Sequence, residues 1–143
     1  MNCNYQKSAL DTASIASQSV VENGLVNFTT NNILTGCSIQ HPAGSNAANI
    51  NCAGLYLVLV NLDLVPAAAG PITVQLLNNG VAVPGAEATI TGAETTTAHV
   101  AFSTLLKVLK SCPCVIDNTA NLQVQVSAAA TISNAKLVIV KQA

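Results

Sequence analysis

Charge is what this sequence has least of. Asp, Glu, Lys and Arg make up 8% of its 143 residues, against roughly 25% in an average soluble domain. Arginine is absent, and the basic residues are Lys7, Lys107, Lys110, Lys136 and Lys141. A nucleic-acid binder neutralises phosphates with clustered basic side chains. A net charge of −1 supplies no such patch, and no nucleic-acid partner is expected. Long apolar runs are also missing. The longest, Gly54–Val60, falls well short of the about 20 residues a membrane helix needs, so no membrane partner is expected either. The opening M-N-C-N-Y-Q-K-S-A-L shows no charged segment followed by an apolar one. No secretory signal is read there, and synthesis in a cytosol is expected.

Catalytic groups are equally sparse. The carboxylates are Asp11, Asp63, Asp117, Glu22, Glu87 and Glu94, with no pairing pattern among them. No G-x-S-x-G elbow occurs, and no glycine-rich loop precedes a helix to cradle phosphate. The expectation is a non-enzyme with no catalytic residues and no cofactor.

What is present is aliphatic. Hydrophobic residues reach 50%, yet two Phe and two Tyr supply all the aromatics. A small monomer of this composition needs either a coat of Ser, Thr and Asn or a partner to cover apolar surface. The second reading, an obligate oligomer, is favoured.

Residues 1–17 are small and polar with no sustained period, and are read as an N-terminal arm. Leu10 and Ile15 stand isolated in it, and such a segment can order on a partner. The arm is therefore expected to anchor the domain to a larger surface. From Gln18 onward the pattern is of short β-runs broken by Gly, Asn and Pro. Cys37–His41 and Asn49–Ala53 flank P-A-G-S-N-A as a hairpin. In G-L-Y-L-V-L-V-N-L-D-L-V-P, Tyr56, Val58 and Val60 line one face of a strand and Leu55, Leu57 and Leu59 line the other. A strand with one wet face alternates apolar and polar. This one is apolar on both faces, so one side meets the domain core and the other meets something else. Asn79-Gly80 is a strong hairpin signal, and Pro84-Gly85 ends or bends the return strand. Thr95–Leu109 is read as a strand from its β-branched residues. L-Q-V-Q-V-S and K-L-V-I-V-K complete about eight strands over residues 18–143, an all-β, two-sheet antiparallel sandwich or jelly roll.

The order V-x-F, G-L-Y-L-V, L-N-N-G-V-A-V-P-G-A, A-F-S-T-L-L-K-V and L-V-I-V-K resembles the tumour-necrosis-factor/complement-like jelly roll. Its bacterial and phage variants include head-fibre and capsid-decoration proteins and the C-terminal domain of collagen-like spore-surface glycoproteins. The resemblance covers about residues 18–141. It implies a homotrimer with inner sheets packed about a threefold axis, which accounts for a trimer-interface or core strand through Leu55, Tyr56, Leu57, Val58, Leu59 and Val60. The collagen-like stalk of the spore proteins is missing. This favours a phage or prophage head protein made in a bacterial cytoplasm and placed on the virion surface, anchored to the capsid by the arm. A spore-surface protein and a carbohydrate-binding lectin with weak glycan contact are the alternatives.

The cysteines are Cys3, Cys37, Cys52, Cys112 and Cys114, an odd number without a signal, which does not read as a disulfide framework. Cys37 and Cys52 lie symmetrically about the hairpin and are candidate cross-strand thiols. C-P-C at 112–114 lacks zinc-site spacing and reads as a strand corner, so no metal ligand is assigned. His99 lies mid-strand and is taken as partly solvated. Should its face line a threefold axis, three copies could meet on an ion.

Overall fold

The computed structural model describes residues 7–109 and 120–143. Among these it contains only strands: β1 (Ala9–Ser14), β2 (Gln18–Val20), β3 (Gly24–Leu25), β4 (Thr30–Thr35), β5 (Ile39–Gln40), β6 (Ala47–Ile50), β7 (Gly54–Pro66), β8 (Gly70–Asn78), β9 (Val81–Gly92), β10 (Ala98–Val108), β11 (Ala120–Val126) and β12 (Ala130–Lys141). They form two antiparallel sheets. The first runs β10-β7-β12-β1-β4 with β2 beside β12, and the second runs β5-β6-β11-β8-β9 with β3 beside β11. This is the jelly-roll sandwich the sequence predicts.

The core lies between the sheets. Tyr56, Val58, Val60, Leu62 and Leu64 of β7 point inward and are essentially inaccessible. They meet Ile72, Val74 and Leu76 of β8 and Leu122, Val124 and Val126 of β11, all buried in one cluster. Period-two alternation on β7, β8, β11 and β12 puts the aliphatic side chains on one face of each strand.

The turns follow their residues. Asn79 and Gly80 take positive φ of 52° and 81°, the two left-handed residues of a type I′ hairpin. Pro84-Gly85 bends β9 without ending it. The register moves from Leu77↔Ala82 to Gln75↔Glu87 across that dipeptide, with Gly85 at φ 79°. The Cys37–His41 hairpin forms as read, with Ile39 opposite Ile50.

One reading is corrected. Within the stretch 1–17 read as an arm, residues 9–14 are instead β1, hydrogen-bonded between β12 and β4, while residues 1–6 lie outside the described residues. Leu10 and Thr12 are fully buried and Ser14 is nearly so. Thr12 Oγ1 donates to the Thr30 carbonyl at 3.0 Å, and Ser14 Oγ to the Ala16 carbonyl at 3.5 Å. Two of the three inward groups are therefore hydroxyls satisfied by main chain. Ser8 continues the anchoring: its Oγ accepts from the Ser38 amide at 2.9 Å, and its carbonyl accepts from the Lys141 amide at 2.9 Å. Gly36, at φ 76°, lies so close to Ser8 that a Cβ there would collide with the serine.

Candidate interaction surface

The outward face of the first sheet is apolar at one end. Leu105 of β10, Leu57 of β7, Val140 of β12 and Ala9 of β1 stand in one cross-strand row. The next row is Ser103, Leu59, Val138, Asp11 and Ile33. Leu55, Leu57 and Leu59 are half-buried by these neighbours, while Leu105 and Ile33 remain 60% and 49% exposed. Of the six residues read as interface or core, Tyr56, Val58 and Val60 face the core, and Leu55, Leu57 and Leu59 face outward.

Toward the other end the same face turns polar. Lys136 Nζ lies 3.2 Å from Asp11 Oδ2, and Asp11 Oδ1 is buried with no hydrogen-bond partner among the described residues. Beyond them His99 Nδ1 meets Asp63 Oδ1 at 2.5 Å. The Asp63 backbone is held at a bulge in β12, where Ser133 Oγ donates to the Asp63 carbonyl at 3.2 Å.

The outward face of the second sheet is built differently. Its side chains are amides and hydroxyls that bond one another across strands: Gln75 to Gln125 at 2.6 Å, Asn121 to Asn49 at 3.0 Å, Gln123 to Asn46 at 3.1 Å and Thr73 to Thr89 at 2.8 Å. Glu87 at its β9 side is the charge among them.

His41 joins the sheets. It is 3% exposed, with Nδ1 2.6 Å from Asn31 Oδ1 of β4 and Nε2 2.9 Å from the Ser45 carbonyl. Asn31 Nδ2 donates back to the His41 carbonyl at 2.6 Å, which fixes the orientation of that amide. Phe28, fully buried, meets the imidazole edge-on with centroids 6.4 Å apart.

The cysteine expectation needs revision. Register continues past Ile39↔Ile50 through the Asn51 amide and the Ser38 carbonyl, 2.7 Å apart, so the chain does bring Cys37 and Cys52 to facing positions. They are nevertheless not a pair of cross-strand thiols. Cys37 is disulfide-bonded, while Cys52 is an exposed free thiol. Cys3 and the C-P-C stretch lie outside the described residues. Among those described, no three His, Cys, Asp or Glu side chains of one chain cluster closely enough to hold a metal, and no helix is long and apolar enough to cross a membrane.

Sheet order, strand count and the paired outer faces define a tumour-necrosis-factor-like jelly roll. Solved structures share it at low sequence identity. Murine APRIL at pH 5.0 superposes with a TM-score of 0.70 at 13% identity, over 96% of this chain and 100% of that one. PRD1 vertex protein P5 gives 0.59 at 12%, over 95% and 97%. The globular domain of zebrafish complement 1qA protein gives 0.59 at 11%, over 94% of each. No protein-family model and no curated protein matches the sequence. Such likeness establishes the fold and leaves the activity to be argued from the surface.

Proposed function

We propose that this chain is a non-enzymatic structural protein: a homotrimer displaying a jelly roll on a phage or prophage head, as a head fibre or capsid decoration. The observation that carries the reading is the outward row of Leu55, Leu57 and Leu59 with Leu105 and Val140 beside it. A contiguous aliphatic patch on a chain this poor in charge calls for a covering surface. Obligate interfaces of this kind resemble a core cut in half. A second copy is the occupant that fits, since the same patch recurs on every protomer and a closed ring covers all of them. Asp11 Oδ1, which has no hydrogen-bond partner among the described residues, would find one across such an interface.

The likeness to a phage vertex protein supports a virion-surface role. A lectin reading loses weight, because Tyr56 and Phe28 are fully buried and Phe102 is half-buried, which leaves few aromatic platforms for a sugar. Light scattering after size exclusion tests the trimer. The expected mass is three times the 14.5 kDa chain, unchanged on dilution to micromolar, and a stable monomer would refute it. Sedimentation with phage heads tests the decoration: the trimer should co-sediment with particles and stay in the supernatant without them. A trimer that ignores particles would reject the virion role and leave the assembly standing.

A further inference from the structure

We propose that Cys52 is the attacking thiol of a thiol–disulfide exchange at Cys37. The exchange replaces the present linkage of Cys37 by a Cys37–Cys52 bond across the β5–β6 hairpin, and it hands the free thiol to the cysteine that Cys37 now holds. Two observations meet here: Cys37 is disulfide-bonded, and Cys52, on the facing strand, is an exposed free thiol. The inference is independent of the trimer proposed above, because both residues belong to one chain.

Register places the two residues. β5 and β6 run antiparallel, with Gln40 opposite Asn49 and Ile39 opposite Ile50. The Asn51 amide donates to the Ser38 carbonyl at 2.7 Å, which carries the ladder one pair further. Cys37 and Cys52 come next, at a position of the non-hydrogen-bonded kind. Facing Cα atoms at such positions lie roughly 4.5 Å apart, and their side chains approach most closely. That separation falls within the roughly 4.4–6.8 Å that a disulfide spans. Ile39 and Ile50 both point into the core, so a period of two puts Cys37 and Cys52 on one side of their strands. The main chain is held on each strand. The Ser38 amide donates to Ser8 Oγ at 2.9 Å, and the Tyr56 hydroxyl donates to the Cys52 carbonyl at 2.8 Å. Gly36, at φ 76°, turns the chain out of β4 immediately before Cys37.

The chemistry needs nothing from outside the chain. The Cys52 thiolate attacks Cys37 Sγ. The bond that Cys37 now makes breaks, and the Cys37–Cys52 bond forms. The displaced sulfur leaves as a thiolate and takes up the proton that Cys52 gave up. Each side of the exchange holds one disulfide and one thiol, so no oxidant or reductant enters. Access to the attacking sulfur is one determinant of the rate, and Cys52 is exposed. The consequence is a change of place. With Cys52 free, the present linkage of Cys37 reaches outside the hairpin. The exchanged one closes within it, beside Gly54 where β7 begins. The second form therefore staples the two hairpin strands and removes the exposed thiol from this end of the sandwich.

The test follows the thiol in the full chain, without reductant and under argon. Samples are trapped with a maleimide before and during incubation at about pH 8.5, where thiolate is abundant. They are then digested with thermolysin, which cuts between the two cysteines, and read by mass spectrometry. At the start the label should sit on Cys52, with Cys37 in a disulfide. On incubation a Cys37–Cys52 linked peptide should appear, Cys52 labelling should fall in step with it, and the total thiol titre should stay constant. Cys52→Ser, with native far-ultraviolet circular dichroism, should keep Cys37 in its starting linkage throughout. Label that stays on Cys52 with no linked peptide overturns the exchange, as does label on Cys37 at the start. A thiol titre that falls as the linked peptide forms means oxidation by another agent and also overturns it. So does a Cys52 bond to a second chain, seen as a doubled mass on a non-reducing gel.

Discussion

The two outer faces of this sandwich share a backbone geometry and differ in how they meet water. On the second sheet, Gln75, Gln125, Asn121, Asn49, Thr73 and Thr89 satisfy one another in cross-strand pairs, so the face is hydrated with a single bordering charge, Glu87. At the apolar end of the first sheet, Leu57, Leu59, Val138 and Val140 occupy the equivalent outward positions, and they give water nothing to bond. A charge-poor chain can therefore be soluble through one face and associative through the other. Low charge alone decides between neither.

The sharpest way to break that contrast is to place one charge on each face. Leu57→Asp puts an unpaired carboxylate into the proposed interface, at a cost of about 3–5 kcal/mol to association. Light scattering should then report a folded monomer with unchanged far-ultraviolet circular dichroism. Gln123→Glu on the amide face should leave the mass of three chains intact, because that carboxylate stays in water. Equal effects from the two variants would erase the distinction. Val58→Asp, one residue along but facing the core, should unfold the chain instead.

The next effect concerns how the faces are held together. His41 joins Asn31 on one sheet to the Ser45 carbonyl leading into the other. His41→Leu removes the imidazole from Asn31 Oδ1 and from the Ser45 carbonyl, which keeps the Phe28 amide at 3.2 Å, and one buried group left short of a partner costs about 1–3 kcal/mol. Urea unfolding should show a lower midpoint, by about 1–3 kcal/mol of stability, with the trimer mass retained at low urea.

Much of this was legible in the residues. The two-sided apolarity of Gly54–Pro66 marks β7 as a strand between the core and an apolar outer face, and Asn79-Gly80 marks the hairpin before any coordinates. β1 was not legible, for a physical reason. Its inward positions are Leu10, Thr12 and Ser14, so the alternation that signals a strand is carried by hydroxyls. Those hydroxyls bond to the Thr30 and Ala16 carbonyls, and the first of these contacts spans 18 residues, beyond any local window. The His99–Asp63 pair was half legible. His99 could be placed on a strand, but its partner is 36 residues away, and only the sheet register brings them together.

A smaller effect comes from making the second face resemble the first. Gln75→Leu with Gln125→Leu replaces a bonded amide pair by aliphatic groups of similar size. Removing both partners together is close to neutral for the fold, so chemical stability should shift by no more than about 1 kcal/mol. Solubility should respond more, because each copy would then carry aliphatic patches on both sides of the sandwich. Light scattering over concentration should show growth beyond the trimer for this variant alone. A variant as monodisperse as the native protein would mean the amide pairing contributes little to keeping the face free.

The smallest predicted effect lies between the faces, at Tyr56. Its ring is buried on the inward side of β7, and its hydroxyl donates to the Cys52 carbonyl at 2.8 Å. Burial pushes the phenol above its ordinary value, a side-chain hydrogen bond with Ser38 pulls the other way, and the nearby Cys52 charge adds to the rise. The sign of the linkage follows. A folded-state value above the unfolded one means the folded chain keeps the phenolic proton longer. The stabilisation is then fully present below the unfolded phenol value of about 10, and is lost as pH rises through the folded value. Tyr56→Phe removes both the hydroxyl bond and the titration. At neutral pH it should cost about 1 kcal/mol. Above pH of about 10 the native protein should lose stability more steeply than the variant, so the two urea midpoints should converge. Parallel alkaline limbs would place the native loss in other groups and leave Tyr56 as a packing residue with one hydrogen bond.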